Sequence, residues 1–143
     1  MSKILIANDH AGFQMKQALV KKLINKIDFL DLGTSSLESV DYPDYAEKLS
    51  KEISSRKFDK GLLICGSGIG MSIVANRFKN VRAALCMTAE MSRLAREHND
   101  ANILSIPARF TSVQQALEMV KVFLNTEFEG GRHQTRVDKI ACS

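Results

Sequence analysis

Short apolar runs alternate along the chain with longer stretches in which apolar residues recur at helical spacing. Ile4–Ala7 leads into Phe13–Ile24, Phe29–Leu32 into Tyr45–Ile53, and Gly61–Cys65 into Met71–Phe78. Ala83–Met87 then leads into Met91–Arg96, and Ile103–Ile106 into Val113–Leu124. A brief, continuous apolar run reads as a strand buried on both faces, and an amphipathic stretch reads as the helix that covers it. Repetition of this pair predicts an α/β fold, a parallel sheet with helices on both faces. In the last long helix Val113, Leu117, Val120 and Leu124 share one side, and Thr111 with Gln114 fits a capping box. Gly130-Gly131 breaks the chain before a final helical segment, Arg132 to Ile140. Pro43 and Pro107 fall between predicted elements, and no repeat, low-complexity tract or linker divides residues 1–143, so one domain is expected.

Composition narrows the class. A chain of 143 residues buries about two-thirds of its unfolded surface and needs no disulfide or metal staple. Cys65, Cys86 and Cys142 form an odd set without paired spacing, and Met1 to Ala7 is too short an apolar run for a signal peptide or a membrane span. A cytoplasmic protein with no membrane partner is expected. The net charge of +4 is spread over the chain, and with no Trp and only nine Phe and Tyr the sequence lacks a nucleic-acid footprint. The weak positive balance suits a small anionic ligand.

In open parallel sheets the ligand lies beyond the carboxyl ends of the strands. The residues there are Asn8-Asp9-His10, Gly33-Thr34, Cys65 to Gly70, Thr88, and Pro107-Ala108-Arg109. Cys65 closes an apolar run and meets Gly66, Ser67, Gly68, Ile69 and Gly70 at once, which places a thiol beside a loop whose backbone amides can approach a ligand closely. A helix opening after that loop favours a bound anion and a thiolate. Together with Asp9-His10, and with His98-Asn99-Asp100 in a turn before the fifth strand, Cys65 makes up a set of base, acid and orienting carboxylate. Each also has an ordinary structural reading: a small buried cysteine, a capping aspartate, a polar turn. Arg132 and Arg136 are four residues apart on one helix face, with His133 between them and Arg109 available to join. Guanidinium forks match phosphate oxygens, although a solvated basic helix end has the same sequence signature. The glycine loop lacks the Lys and Ser/Thr of a P-loop, and Met71 stands where the dinucleotide fingerprint places its last glycine. No nicotinamide cofactor is expected.

Five motifs in order resemble those of the type B ribose-5-phosphate isomerases, which group with the subunits of galactose-6-phosphate isomerase. They are Asp9-His10-Ala11-Gly12-Phe13, Asp41-Tyr42-Pro43, Ile64-Cys65-Gly66-Ser67-Gly68-Ile69-Gly70, Arg96-Glu97-His98-Asn99-Asp100, and the stretch from Glu129 to Val137. The resemblance covers nearly the whole chain. It implies a Rossmann-like three-layer α/β/α sandwich, a five-stranded sheet of order 2-1-3-5-4, and a homodimer, tetrameric in some relatives, whose sites combine both chains. By position, Cys65 matches the residue that moves the proton between C1 and C2, and His98 the one that opens the sugar ring. Asp9, His10, Gly66, Ser67, Gly68, Ile69, Gly70, Asn99, Arg109, Arg132 and Arg136 match substrate-binding positions. Ser67 replaces the Thr of many relatives but keeps a hydroxyl, and Ala75 and its neighbours supply no glutamate base, so Cys65 is the evident base of this loop. The galactose isomerase subunits divide the cysteine loop from the His-Asn turn and arginine tail. This chain holds both, which implies a homo-oligomer without a second subunit type.

The implied reaction interconverts ribose 5-phosphate and ribulose 5-phosphate, in the non-oxidative branch of the pentose phosphate pathway, through a cis-enediolate and without cofactor or metal. The phosphate is expected under Arg109, Arg132 and Arg136, with the glycine loop left for the enediolate oxygens. The same machinery suits a six-carbon substrate such as allose or galactose 6-phosphate. A noncatalytic sugar-phosphate or nucleotide binder and a thiol redox protein are the alternatives from other classes, the latter without a C-x-x-C motif.

Overall fold

A computed structural model describes residues 3–141. Cys142, one of the three cysteines of the sequence, lies outside them. The elements alternate as the apolar pattern requires: β1 (Lys3–Asn8), α1 (Phe13–Leu23), β2 (Asp28–Asp31), α2 (Tyr42–Ser54), β3 (Gly61–Cys65), α3 (Ile69–Ala75), β4 (Ala83–Leu85), α4 (Ala89–Asn99), β5 (Ile103–Pro107), α5 (Val113–Asn125) and α6 (Arg132–Ile140). A short 3-10 turn, His10–Gly12, joins β1 to α1.

All strand pairs are parallel and the sheet order is β2-β1-β3-β5-β4. This is the expected order in a three-layer sandwich. Residues of β3 and β5 are buried throughout, because the central strands of a doubly covered sheet face helices on both sides. Alternate side chains feed two cores. Ile6, Leu62, Ile64, Leu104 and Ile106 pack with Leu19 of α1 and with Leu117, Val120 and Phe123 of α5. Leu5, Ala7, Leu63, Cys65 and Ile103 pack with Ala46 and Leu49 of α2 and Met71 of α3.

The chain leaves β1 toward β2 on one side, and β3 lies on the other, so the sheet order reverses between β1 and β3. Their carboxyl ends therefore open a crevice where crossover helices diverge, the place at which such sheets bind ligands. Close packing at this point depends on Gly12, where an added Cβ would lie 2.3 Å from the Ile64 carbonyl oxygen.

Several boundaries differ from the sequence expectation. The capping box of α5 is formed by Ser112 and Gln115, whose side chains each accept from the other's backbone N–H at 3.1 and 2.8 Å. Thr111 is buried instead and donates its hydroxyl to the Pro107 carbonyl at 2.8 Å, which closes the turn after β5. Helix α2 begins at Tyr42, which brings Pro43 into the first turn, where a missing N–H leaves no helical bond unmade. His98 and Asn99 are the final residues of α4 and not part of a turn, and Asp100 ends the helix in the left-handed region at φ 47°.

Candidate active site

Two groups of the expected residues sit at opposite ends of the sheet. The first surrounds Cys65 at the carboxyl end of β3. Asp9, the last group before the 3-10 turn, accepts the Gly12 N–H at 3.1 Å, and its own backbone N–H donates to the Ile64 carbonyl. These bonds tie the loop after β1 to the strand that carries the thiol. His10 Nδ1 accepts the Val40 N–H at 3.1 Å. A neutral imidazole with one nitrogen accepting carries its proton on the other, so Nε2–H is left as a donor.

The glycine loop is shaped by contacts that leave little room for side chains. Gly68 adopts φ 72°, and a Cβ there would lie 2.5 Å from Leu85. A Cβ on Gly66 would lie 3.0 Å from the Arg109 guanidinium carbon, and one on Gly70 would meet the Tyr42 ring at 2.4 Å. Arg109 and Tyr42 thus flank the loop from two sides. Ser105, buried on β5, donates its hydroxyl to the Gly68 carbonyl at 2.7 Å and holds the loop from beneath. Ser67 Oγ accepts the Ile69 N–H at 3.2 Å, which leaves its own proton free to donate. Ile69 and Gly70, expected in the loop, belong to the first turn of α3.

The Cys65 sulfur accepts the Gly68 N–H at 3.2 Å. Burial raises its pKa above the ordinary thiol value; backbone N–H groups of Met71, Gly68 and Ser67 oppose this, and the nearby Asp9 charge adds to it. The net direction is upward. The helix start does favour the thiolate, as its sequence position suggests, but desolvation outweighs it. Cys86, buried without such donors, is pushed up to about 11.

The second group lies where α4 ends, at the opposite edge of the sheet. Helix α4 runs back from the carboxyl edge, so His98 and Asn99 close it beside the start of β5, whereas Cys65 pairs with Pro107 at the end of β5. Five residues of strand separate the two edges, about 13 Å at the usual rise. Helix α6 joins this second group. The Glu129 N–H donates to the Glu97 carbonyl at 3.1 Å, and the His133 ring stacks on His98 with centroids 4.3 Å apart. Arg132 and Arg136 are exposed on the same helix, and His133 between them is buried. Within one chain, then, Arg109 belongs with Cys65, and Arg132 and Arg136 belong with His98.

The position of Tyr42 against Gly70, the support from Ser105 and the stacking of His133 were not readable as contacts. Their residue types carry no pattern that fixes a partner so distant in sequence.

At the carboxyl edge, the segments after β3, β4 and β5 also expose large apolar side chains: Ile69, Ile73, Met87, Met91 and Phe110 are 42–61 % exposed. Among the described residues no helix is long and apolar enough to cross a membrane.

Comparison with known proteins places this architecture. Residues 4–140 match the model of the family described as Ribose/Galactose Isomerase. Ribose-5-phosphate isomerase B of Escherichia coli is 40 % identical over 141 residues, covering 98 % of this chain and 95 % of its own. The crystal structure of a ribose 5-phosphate isomerase from Thermotoga maritima is 51 % identical and superposes with a TM-score of 0.95, over 98 % of this chain and 97 % of that one. A ribose-5-phosphate isomerase B from Mycoplasma genitalium, solved with bound ribulose-5-phosphate, is 39 % identical with a TM-score of 0.93, over 97 % of this chain and 93 % of that one. With its sheet order, its thiol-bearing crevice and full-length likeness to these proteins, the chain belongs to the ribose/galactose isomerase family.

Proposed function

We propose that this protein interconverts ribose 5-phosphate and ribulose 5-phosphate, with Cys65 as the proton-transfer base, in a homodimer whose sites draw on both chains. The observation that carries the reading is the Cys65 sulfur at the β1/β3 crevice, hydrogen-bonded to Gly68 N–H and flanked by Asp9 and Arg109. A base at this point takes the C2 proton of the open aldose and returns it to C1. The Ser67 hydroxyl and the Gly70 N–H, in the first turn of α3 where the helix leaves amides unpaired, face the enediolate oxygens as donors. The His10 Nε2–H is a further donor for the sugar phosphate. Each oxyanion donor of this kind contributes roughly 3 kcal/mol to the transition state.

The ring-opening acid must come from elsewhere, because His98 of the same chain is at the far edge of the sheet. A second copy docked on the exposed Ile69, Ile73, Met87, Met91 and Phe110 brings its own α4 end and α6 to the crevice. That copy supplies His98, Asn99, Arg132 and Arg136. The phosphate then lies among three guanidinium groups, one from the chain that carries the thiol and two from its partner, and its binding energy is used to align C1 and C2. Buried free thiols at Cys65 and Cys86 suit a reducing compartment, consistent with a cytoplasmic enzyme.

Turnover of ribose 5-phosphate, followed beside allose and galactose 6-phosphates, tests the reading. The highest kcat/KM is expected for the five-carbon substrate, together with exchange of solvent hydrogen into it. A preferred six-carbon phosphate reassigns the substrate, and binding without exchange removes the enzyme reading.

A further inference from the structure

His98, Glu129 and His133 place three metal-ligating side chains together at the edge of the sheet opposite Cys65, with ligand atoms all within 4.8 Å of one another. Glu129 Oε1 lies 3.6 Å from His98 Nε2 and 3.4 Å from His133 Nε2. Donor atoms around a tetrahedral zinc ion, with bonds of about 2.0–2.1 Å, are roughly 3.4 Å apart, so two edges of the ligand triangle already have the required length. Two imidazoles and one carboxylate are also a zinc donor set that leaves a fourth position open.

The site is partly built in advance. His133 is held by burial, its side chain only 9 % exposed, and the loop that carries Glu129 is fixed by the Glu129 N–H bond to the Glu97 carbonyl. His98 and Glu129 are 40 and 49 % exposed in the single chain. Adjustment is needed, since the rings stack at 4.3 Å and 12°, and two parallel imidazoles must splay for both lone pairs to meet one ion.

We propose that His98, Glu129 and His133 form a binding site for a zinc-class divalent cation, one ion per chain. An ion bound there occupies the lone pair of His98 and withdraws it from proton transfer, so the metal acts as an inhibitor. That consequence rests on the ring-opening role given to His98 above, whereas binding itself does not.

Calorimetric titration of zinc chloride into the intact protein, in a buffer without chelators, tests the site. Saturable binding of one ion per chain is expected. Glu129→Gln and His133→Ala should each weaken it by about tenfold or more, a typical loss for a disturbed metal site. Cys65→Ser should leave it unchanged. Glu129 is exposed, so its variant reports on the site even if the buried His133 variant fails to fold. Absent saturation, equal affinity in wild type and Glu129→Gln, or loss of binding in Cys65→Ser would each overturn the proposal. Zinc that binds yet leaves isomerase turnover unaffected would overturn the inhibitory role.

Discussion

At the scale of single residues, the behaviour of Cys65 is set by a contest between burial and hydrogen bonding. Desolvation disfavours the thiolate more strongly than the Met71, Gly68 and Ser67 amides favour it, so the fold shifts the thiol toward its protonated form. In the proposed proton transfer the thiolate is the reactive species. Raising the pH through the shifted pKa therefore increases kcat/KM, and the rise should be centred above the ordinary cysteine range. A pH profile that is already flat through that range would show that the base ionises lower than its surroundings dictate. Replacing Cys65 by Ala should lower kcat about a hundredfold to ten-thousandfold with little change in KM, because proton transfer acts in the transition state. A comparable loss in KM instead would point to a packing role. The strand-ending position of Cys65 was visible in the sequence, and so was the pull of the helix start. Its net ionisation was not, since burial is a property of the packed environment supplied by α2 and α3.

Among elements, the helix starts and the glycine loop show where local pattern is ambiguous. Thr111-Ser112 presents two hydroxyl residues in succession, each with a Gln three positions on. The register is decided by the turn after β5: Thr111 is drawn inward to the Pro107 carbonyl, which leaves Ser112 at the cap. Ser112→Ala should then cost about 1 kcal/mol, near 3 °C in Tm by calorimetry, while Gln114→Ala changes Tm little. Equal shifts would return the cap to Thr111. Below the glycine loop, Ser105→Ala removes the shorter of the two hydrogen bonds to the Gly68 carbonyl, which keeps only the Ser72 N–H at 3.3 Å, a loss of about 1 kcal/mol. Denaturant unfolding should report that loss, and kcat should fall as the amide aimed at Cys65 loosens. A variant as stable and as active as wild type would remove Ser105 from the support of the loop. Ser105 sits in an apolar run and reads as an ordinary small strand residue, so its partner 37 positions away was legible only in the folded chain.

For the whole molecule, the separation of Cys65 from His98 makes the proposed activity depend on association. A mixture of Cys65→Ala and His98→Asn chains, unfolded and refolded together, should regain about a quarter of wild-type activity, since random pairing makes half the dimers hybrid and each hybrid contains one intact site. Each variant alone should stay inactive. No recovery on mixing would mean that both residues act within one chain, against the distance imposed by β5. Alternating apolar runs and amphipathic stretches were enough to determine the α/β class, the number of strands and the identity of the loops at their carboxyl ends, because burial periodicity is written locally. The order of the strands and the candidate site residues are carried by motif resemblance and not by periodicity. Only the tertiary structure decided which of those residues share an end of the sheet. Helices that return antiparallel to the strands carry their last residues to the opposite edge, so a sequence that holds Cys65 and His98 in one chain still places them at two different surfaces.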